Sequence, residues 1–204
     1  MERQIIQSKL DRSHNILYTD DAIPGMIEAR YVKRESSPYS IVYLSSQTGC
    51  TQGCRMCHLT ATKQTKLANV TPSQFIAQAQ DVLAIYDKQN DPVQTVHFNF
   101  MARGEALANP WIRNHSGAIL QDLKALADER NLQSLFLIST IIPQEMKDLE
   151  LAEVFTDAEV YPEIYYSLYS MDPAFRKKWL PRAIPADAAL SKLAAWKSAT
   201  GKHP

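Results

Sequence analysis

The chain has 204 residues, 45% of them hydrophobic, enough for one sizeable core and, by length, one domain or at most two small ones. Its 22 basic and 22 acidic side chains cancel, so no global basic charge announces a nucleic-acid partner and only a local patch could serve one. No run approaches the eighteen apolar residues of a membrane span, and the opening MERQIIQSKLDRSHNILYTD has no apolar signal core, so a cytoplasmic protein with reduced thiols is expected.

In chain order, after a short N-terminal section, residues 26–33 (MIEARYVK) and 39–44 (YSIVYL) read as strands joined across Glu35-Ser36-Ser37-Pro38. The second runs straight into a cysteine-bearing loop. Thr71-Pro72-Ser73-Gln74 opens a helix, with Thr71 as N-cap, Pro72 at the first helical position and Gln74 closing a capping box. Phe75, Ile76, Ala79, Val82, Leu83 and Tyr86 then share a helical face. Thr95–Phe100 reads as a strand ending at Arg103-Gly104-Glu105, and a helix follows near 116–129 with Ile119, Leu120, Leu123 and Leu126 inward. Ser134–Ser139 is a short apolar strand, and Pro143 opens a helical segment toward Phe155. Residues 162–168 make a further strand and 185–199 a helix that packs through Leu190, Leu193, Ala194 and Trp196. This alternation predicts an α/β fold with a parallel sheet and outer helices, a partial (β/α) barrel of TIM type whose chemistry sits at the C-terminal strand ends.

All three cysteines of the chain, Cys50, Cys54 and Cys57, fall in one loop as Cys-x-x-x-Cys-x-x-Cys, with Gly49 and Gly53 supplying loose backbone around them. Three thiolates on one short loop can hold three corners of an iron-sulfur cube and leave the fourth iron open to a reactant. Three other readings stay open here: a disulfide pair with a free thiol, a zinc knot made of the three cysteines and His58, and inert buried thiols. At the predicted strand ends, Gly104 and Glu105 follow one strand, Ser139 and Thr140 close the next, and Ser167 and Tyr169 close the last, all toward the cysteine loop. Each alone is also an ordinary strand terminator.

The loop resembles that of the radical S-adenosylmethionine (SAM) superfamily. The preceding Ser45-Ser46-Gln47-Thr48-Gly49-Cys50 is similar to the branch that methylates carbon 2 of adenine in ribosomal RNA and tRNA. Met56 stands before the third cysteine, where most of the superfamily has an aromatic residue. Ala102-Arg103-Gly104-Glu105-Ala106-Leu107-Ala108-Asn109 resembles the family's Gly-Met-Gly-Glu-Pro-Leu-Leu-Asn, which implies that Gly104 and Glu105 contact the amino group of SAM. Ile138-Ser139-Thr140 with Pro143 is similar to the family's Leu-Ser-Thr-Ser-Gly-x-x-Pro, and Ser167-Leu168-Tyr169 stands where the family has Ser-Leu-His. The resemblance thus implies SAM contacts from Ser139, Ser167 and Tyr169. Ile27-Glu28-Ala29-Arg30-Tyr31-Val32 resembles Val-Glu-Thr-Val-Tyr-Ile, which implies a proton-accepting role for Glu28.

By this resemblance Cys50, Cys54 and Cys57 hold a 4Fe-4S cluster, the open iron binds SAM, and one electron cleaves SAM to methionine and a 5′-deoxyadenosyl radical. The implied partners are an RNA substrate, a reductant protein such as flavodoxin or ferredoxin, and a second chain completing the barrel. The family also uses two further cysteines. Tyr43 occupies the position of one, seven residues before Cys50, and a phenol has no disulfide chemistry. The other lies toward the family's C-terminus. Residues 1–38 are expected to form an N-terminal extension with a strand leading into the core, and 39–204 an incomplete radical SAM core with about four of the superfamily's six strand-helix units. Gly201-Lys202-His203-Pro204 reads as the turn before a further strand, as in a truncated or split reading frame. A radical SAM enzyme acting on a non-RNA substrate, or a catalytically silent metal-binding module, are the alternatives.

Overall fold

Seven strands form one sheet in chain order in the computed structural model, which describes residues 1–11, 13–35, 37–89 and 92–202. Strands β1 (Glu2–Gln7), β2 (His14–Thr19), β3 (Ile27–Lys33) and β4 (Tyr39–Tyr43) are antiparallel neighbours. Strands β5 (Thr95–Phe100), β6 (Gln133–Thr140) and β7 (Glu163–Tyr166) then run parallel to β4. Helices α1 (His58–Ala61) and α2 (Pro72–Tyr86) lie between β4 and β5, α3 (Pro110–Asp128) between β5 and β6, and α4 (Leu151–Val154) between β6 and β7. Helices α5 (Pro173–Trp179) and α6 (Ala186–Thr200) follow β7. The fold is therefore α/β, and β4–β7 with their crossovers make a partial barrel, as the alternating pattern predicts.

Helix α2 starts where the sequence says it should. Thr71 Oγ1 accepts from Gln74 N, and Gln74 Oε1 accepts from Thr71 N at 2.9 Å. Its apolar face and that of α3 cover one side of the sheet, where Phe75, Phe98, Phe100, Leu123 and Trp196 share a single core. Helix α3 begins six residues earlier than expected, because Asn109 caps it by accepting from Trp111 N at 2.8 Å and Pro110 suits the first turn. A break at His115 (φ −139°) separates that added turn from the rest.

Three expectations are corrected. Residues 143–155 do not form one helix: Pro143 pairs with Ala183 and Gln144 N donates to Arg182 O at 2.9 Å, which leaves a 3₁₀ turn over Gln144–Met146 and the four-residue α4. The last strand stops at Tyr166, since Leu168 N turns back onto Tyr166 O at 3.0 Å and Tyr169 takes φ +56°. The N-terminal section holds two strands not anticipated. β2 packs Ile16 and Tyr18 inward, and Tyr18 Oη donates to Asp81 of α2 at 2.9 Å. β1 is exposed throughout, so it carries no inward alternation to read. Helix α5, capped by Asp172 accepting from Ala174 N at 2.9 Å, was also unanticipated. The Glu35–Pro38 and Gly201–Pro204 turns include Ser36, His203 and Pro204, which lie outside the described residues.

Candidate active site at the cysteine loop

The loop leaving β4 is built into the protein before it reaches the first cysteine. Ser45, Ser46, Gln47 and Thr48 are all buried, and each has a specific partner. Ser45 Oγ donates to Glu28 O at 2.5 Å and accepts from Glu28 N at 3.0 Å, tying the loop to β3. Ser46 N and Gln47 N both donate to Arg103 O, at 2.8 and 3.2 Å, and Gln47 Oε1 accepts from Glu105 N at 3.1 Å, tying it to the loop after β5. Asn109 joins the same junction: its Nδ2 donates to Ser46 O at 2.7 Å and to Val70 O at 2.9 Å. The Ser-Ser-Gln run thus shapes the cysteine loop through hydrogen bonds to buried backbone.

The chain then has to pass close to itself. A Cβ on Gly49 would stand 2.3 Å from Lys66 O, so only glycine lets Cys50 N donate to Gln64 O at 3.1 Å. At Gly104 the backbone has φ +90°, and a Cβ would lie 2.7 Å from both Ser46 Oγ and Gln47 Cβ. The far side of the loop is held by Arg55 N donating to Trp179 O at 3.0 Å and by Gln52 Nε2 donating to Glu145 Oε1 at 3.2 Å.

A cavity of about 450 Å³ opens at the C-terminal ends of the parallel strands. Cys50, Cys54 and Cys57 line it together with Glu28, Gly104, Ser139 and Tyr169, seven of the nine residues singled out from sequence. Met56 and Arg103 line it too. Glu105 does not. Its carboxylate is turned inward, accepting from Leu107 N at 3.2 Å and Ile141 N at 3.3 Å, and burial pushes its pKa up to about 7. Ser167 opens instead into a neighbouring hollow of about 590 Å³ beside β7, which Ser139 also borders. A larger hollow of about 720 Å³ beside β3 carries no cysteine.

Arg103 was not anticipated. It is only 6% exposed, donates from Nε and Nη2 to Thr48 O and from Nη2 to Gln64 Oε1, and holds Nη1 4.0 Å from Glu28 Oε2. The only signal was an arginine at a strand end where the resembling motif has methionine. Asn109 and Gln47 gave no chemical signal, since the groups they join across the junction, Ser46 O and Val70 O for one and Glu105 N and the Asn69 side chain for the other, are distant in sequence.

The three cysteines are unpaired. Burial, followed by the neighbouring carboxylates and thiols, pushes Cys50 up to about 11, and burial, followed by Cys50 and Glu105, pushes Cys54 up to about 12. Among the described residues no group of three His, Cys, Asp or Glu side chains is gathered for a metal ion as it stands. A 4Fe-4S cube distributes three thiolates over three irons, so its ligands must border a common space rather than converge on one point. Three free thiols around one cavity fit that requirement.

No family model matches the chain. In sequence it is 26% identical over 167 residues to a probable dual-specificity RNA methyltransferase RlmN from Parasynechococcus marenigrum (strain WH8102), a match covering 79% of this chain and 44% of that protein. In structure it is similar to the crystal structure of a radical SAM methyltransferase from Sphaerobacter thermophilus, with a TM-score of 0.71 and 17% identity, covering 98% of this chain and 55% of that one. The chain spans about half the length of these proteins. The sequence match and the shared fold together support a relationship to radical SAM methyltransferases of the RlmN kind.

Proposed function

We propose that this chain is a radical SAM enzyme, with residues 39–204 as its radical SAM core and RNA adenine carbon-2 methylation as the related reaction. The observation that carries the reading is the convergence of three free thiols with Glu28, Gly104, Ser139 and Tyr169 on one cavity. Cys50, Cys54 and Cys57 would hold a 4Fe-4S cluster. When bound, cluster and SAM supply a 5′-deoxyadenosyl radical from one electron, delivered by a reductant protein of the cell.

The chain's own residues prepare that chemistry. The Gly104 backbone and the Ser139 hydroxyl border the cavity, where they can receive the polar end of SAM, and Tyr169 stands exposed at its rim. Glu105 serves from behind: its carboxylate pins the Leu107 and Ile141 amides, which sets the loop that presents Gly104. Glu28 lines the cavity beside the Arg103 cation, which supports a proton-accepting role for it there. Free cysteines suit a reducing cytoplasm, and among the described residues no helix is long and apolar enough to cross a membrane.

The test is anaerobic purification and reconstitution with iron and sulfide, followed by measurement of iron content and of SAM cleavage under a strong reductant. About four irons per chain and release of 5′-deoxyadenosine, both lost in Cys54→Ala, are expected. A reconstituted chain that takes up no iron contradicts the reading.

A further inference from the structure

Charge is not spread evenly along this neutral chain. Residues 37–80, which carry the cysteine loop, contain no Asp or Glu, and neither do residues 173–186. They hold three and four basic side chains respectively, seven of the 22 in the chain against none of the 22 acidic ones. The two segments meet at the far side of the loop. Arg55 N donates to Trp179 O at 3.0 Å, and a Cβ on Gly53 would stand 3.4 Å from Pro181 Cγ. On the other flank Gln64 O accepts from Cys50 N, which brings Lys63 and Lys66 alongside the first cysteine.

Arg55, Lys63, Lys66, Lys177, Lys178 and Arg182 are exposed, and among the described residues none of the six enters an ion pair. Elsewhere cations are engaged: Arg3, Arg103, Arg130 and Lys192 each stand by a carboxylate. The carboxylates that approach the loop are committed, Glu145 to Gln52 and Asp172 to the cap of α5. The basic residues that end α5 suit its dipole, but Arg55, Lys66 and Arg182 lie outside any helix. Unpaired like charges repel one another, and an anionic partner relieves that repulsion. Surface chemistry decides the kind of partner. A face for single-stranded RNA interleaves its cations with open aromatic rings. Here Phe175 and Trp179 stack on each other at 5.9 Å, and the Lys178 ammonium covers Trp179 at 5.8 Å. Met56, 40% exposed on the same loop, supplies instead the adaptable apolar contact of a protein interface.

We propose that this basic face, centred on Arg55 and the end of α5, is the docking surface for an acidic protein that carries one electron to the thiol loop. Arg55 follows Cys54 directly and precedes Cys57 by two residues, so a partner seated on it touches the loop itself. One electron leaves the carrier's reduced flavin, which is oxidised by one electron, and enters the cluster, which is reduced by one. The cations steer the encounter and set its orientation, as charge complementarity does in transient complexes. The assignment rests on the proposed function for what the electron is for, but docking itself needs neither iron nor SAM.

The experiment measures binding of an acidic flavodoxin to the full chain by calorimetry, as purified and after iron-sulfur reconstitution. Binding is expected at low ionic strength and should be lost at about 1 M salt, where the Debye length is about 3 Å. Lys177→Glu combined with Lys178→Glu should weaken it about tenfold or more, whereas Lys88→Glu at the end of α2 should leave it unchanged. In the reconstituted chain the double variant should slow reduction by flavodoxin and leave reduction by dithionite as it was. No binding at low salt, binding indifferent to salt, or unchanged affinity in the double variant overturns the proposal. A poly-uridine oligonucleotide titrated in parallel separates the two classes of partner. If the double variant loses the oligonucleotide and keeps flavodoxin, the face belongs to RNA and the proposal is wrong. Where charge reversal prevents folding, Lys177→Gln with Lys178→Gln decides, and unchanged flavodoxin affinity there overturns it. A chain that takes up no iron yet binds flavodoxin through Lys177 and Lys178 defeats the proposed function alone.

Discussion

The side-chain amide of Asn109 donates to the Ser46 carbonyl at 2.7 Å, across 63 residues of sequence, and so clamps the start of the cysteine loop to the N-terminus of α3. The same side chain donates to Val70 O and accepts from Trp111 N, and Asn109 is fully buried. Replacing it removes three hydrogen bonds at once, although Ser46 O keeps the bond from Val70 N at 3.1 Å. Asn109→Leu is expected to cost about 2–3 kcal/mol, at roughly 1 kcal/mol per lost bond. Urea denaturation of the two proteins measures it, and a loss below about 1 kcal/mol would mean that the junction is held by other contacts.

Gly104 carries the second constraint on this junction. At φ +90°, with Ser46 Oγ and Gln47 N within 2.8 Å of a Cβ, the position tolerates no side chain without displacing the cysteine loop. Gly104→Ala is expected to destabilise by about 1–3 kcal/mol through backbone strain, with the displaced loop adding to it. The measurement is the denaturation midpoint together with thiol reactivity toward a small maleimide, which should change at Cys50, Cys54 and Cys57 as the loop moves.

Arg103 and Glu28 should separate folding from reaction. Arg103 is buried and donates to Thr48 O and Gln64 Oε1, so Arg103→Met removes charge-assisted bonds and should lower stability by about 2–3 kcal/mol. The Glu28 side chain is 31% exposed and stands 4.0 Å from its cation, a weak pair. Glu28→Gln should therefore change stability by less than about 1 kcal/mol while removing the carboxylate proposed to accept a proton. Denaturation alongside product formation distinguishes the two, and full turnover in Glu28→Gln would remove Glu28 from the chemistry.

Glu105 gives the fold a pH dependence of definite sign. Burial raises its pKa from 4.5 to about 7, so between these values the folded chain holds a proton that the unfolded chain has lost. Stability from this group is complete below pH 4.5 and is lost as pH rises through about 7. The shift corresponds to roughly 3 kcal/mol. Glu105→Gln, which stays neutral and still offers an acceptor oxygen, should lose less stability between pH 5 and pH 8 than the unmodified chain. Urea midpoints at both pH values test it, and parallel losses in the two proteins would place the Glu105 carboxylate in contact with solvent.

Where local chemistry determined the backbone, the sequence was readable. The Thr71-Pro72-Ser73-Gln74 box fixes its own helix start through atoms three residues apart, β5 alternates Val96, Phe98 and Phe100 with polar residues, and β6 announces itself as an apolar run of strand length. Where distant segments decided, it was not. Residues 143–155 carry helical signals, yet pairing with residues 182 and 183 breaks them into two short turns. β1 is a strand because it pairs with β2, with no buried face of its own to mark it.

The candidate site divides in the same way. The thiol cluster and the glycines around it are legible because their chemistry is carried by residue type and spacing within eight positions. The sequence by itself determined that the three cysteines lie together on one loop and that a strand–helix alternation supports it. Only the tertiary structure decided that Glu105 turns its carboxylate inward and that Arg103 reaches Glu28. Those outcomes depend on strand register and on burial, and both are set by contacts between segments far apart in the chain, where no local pattern records them.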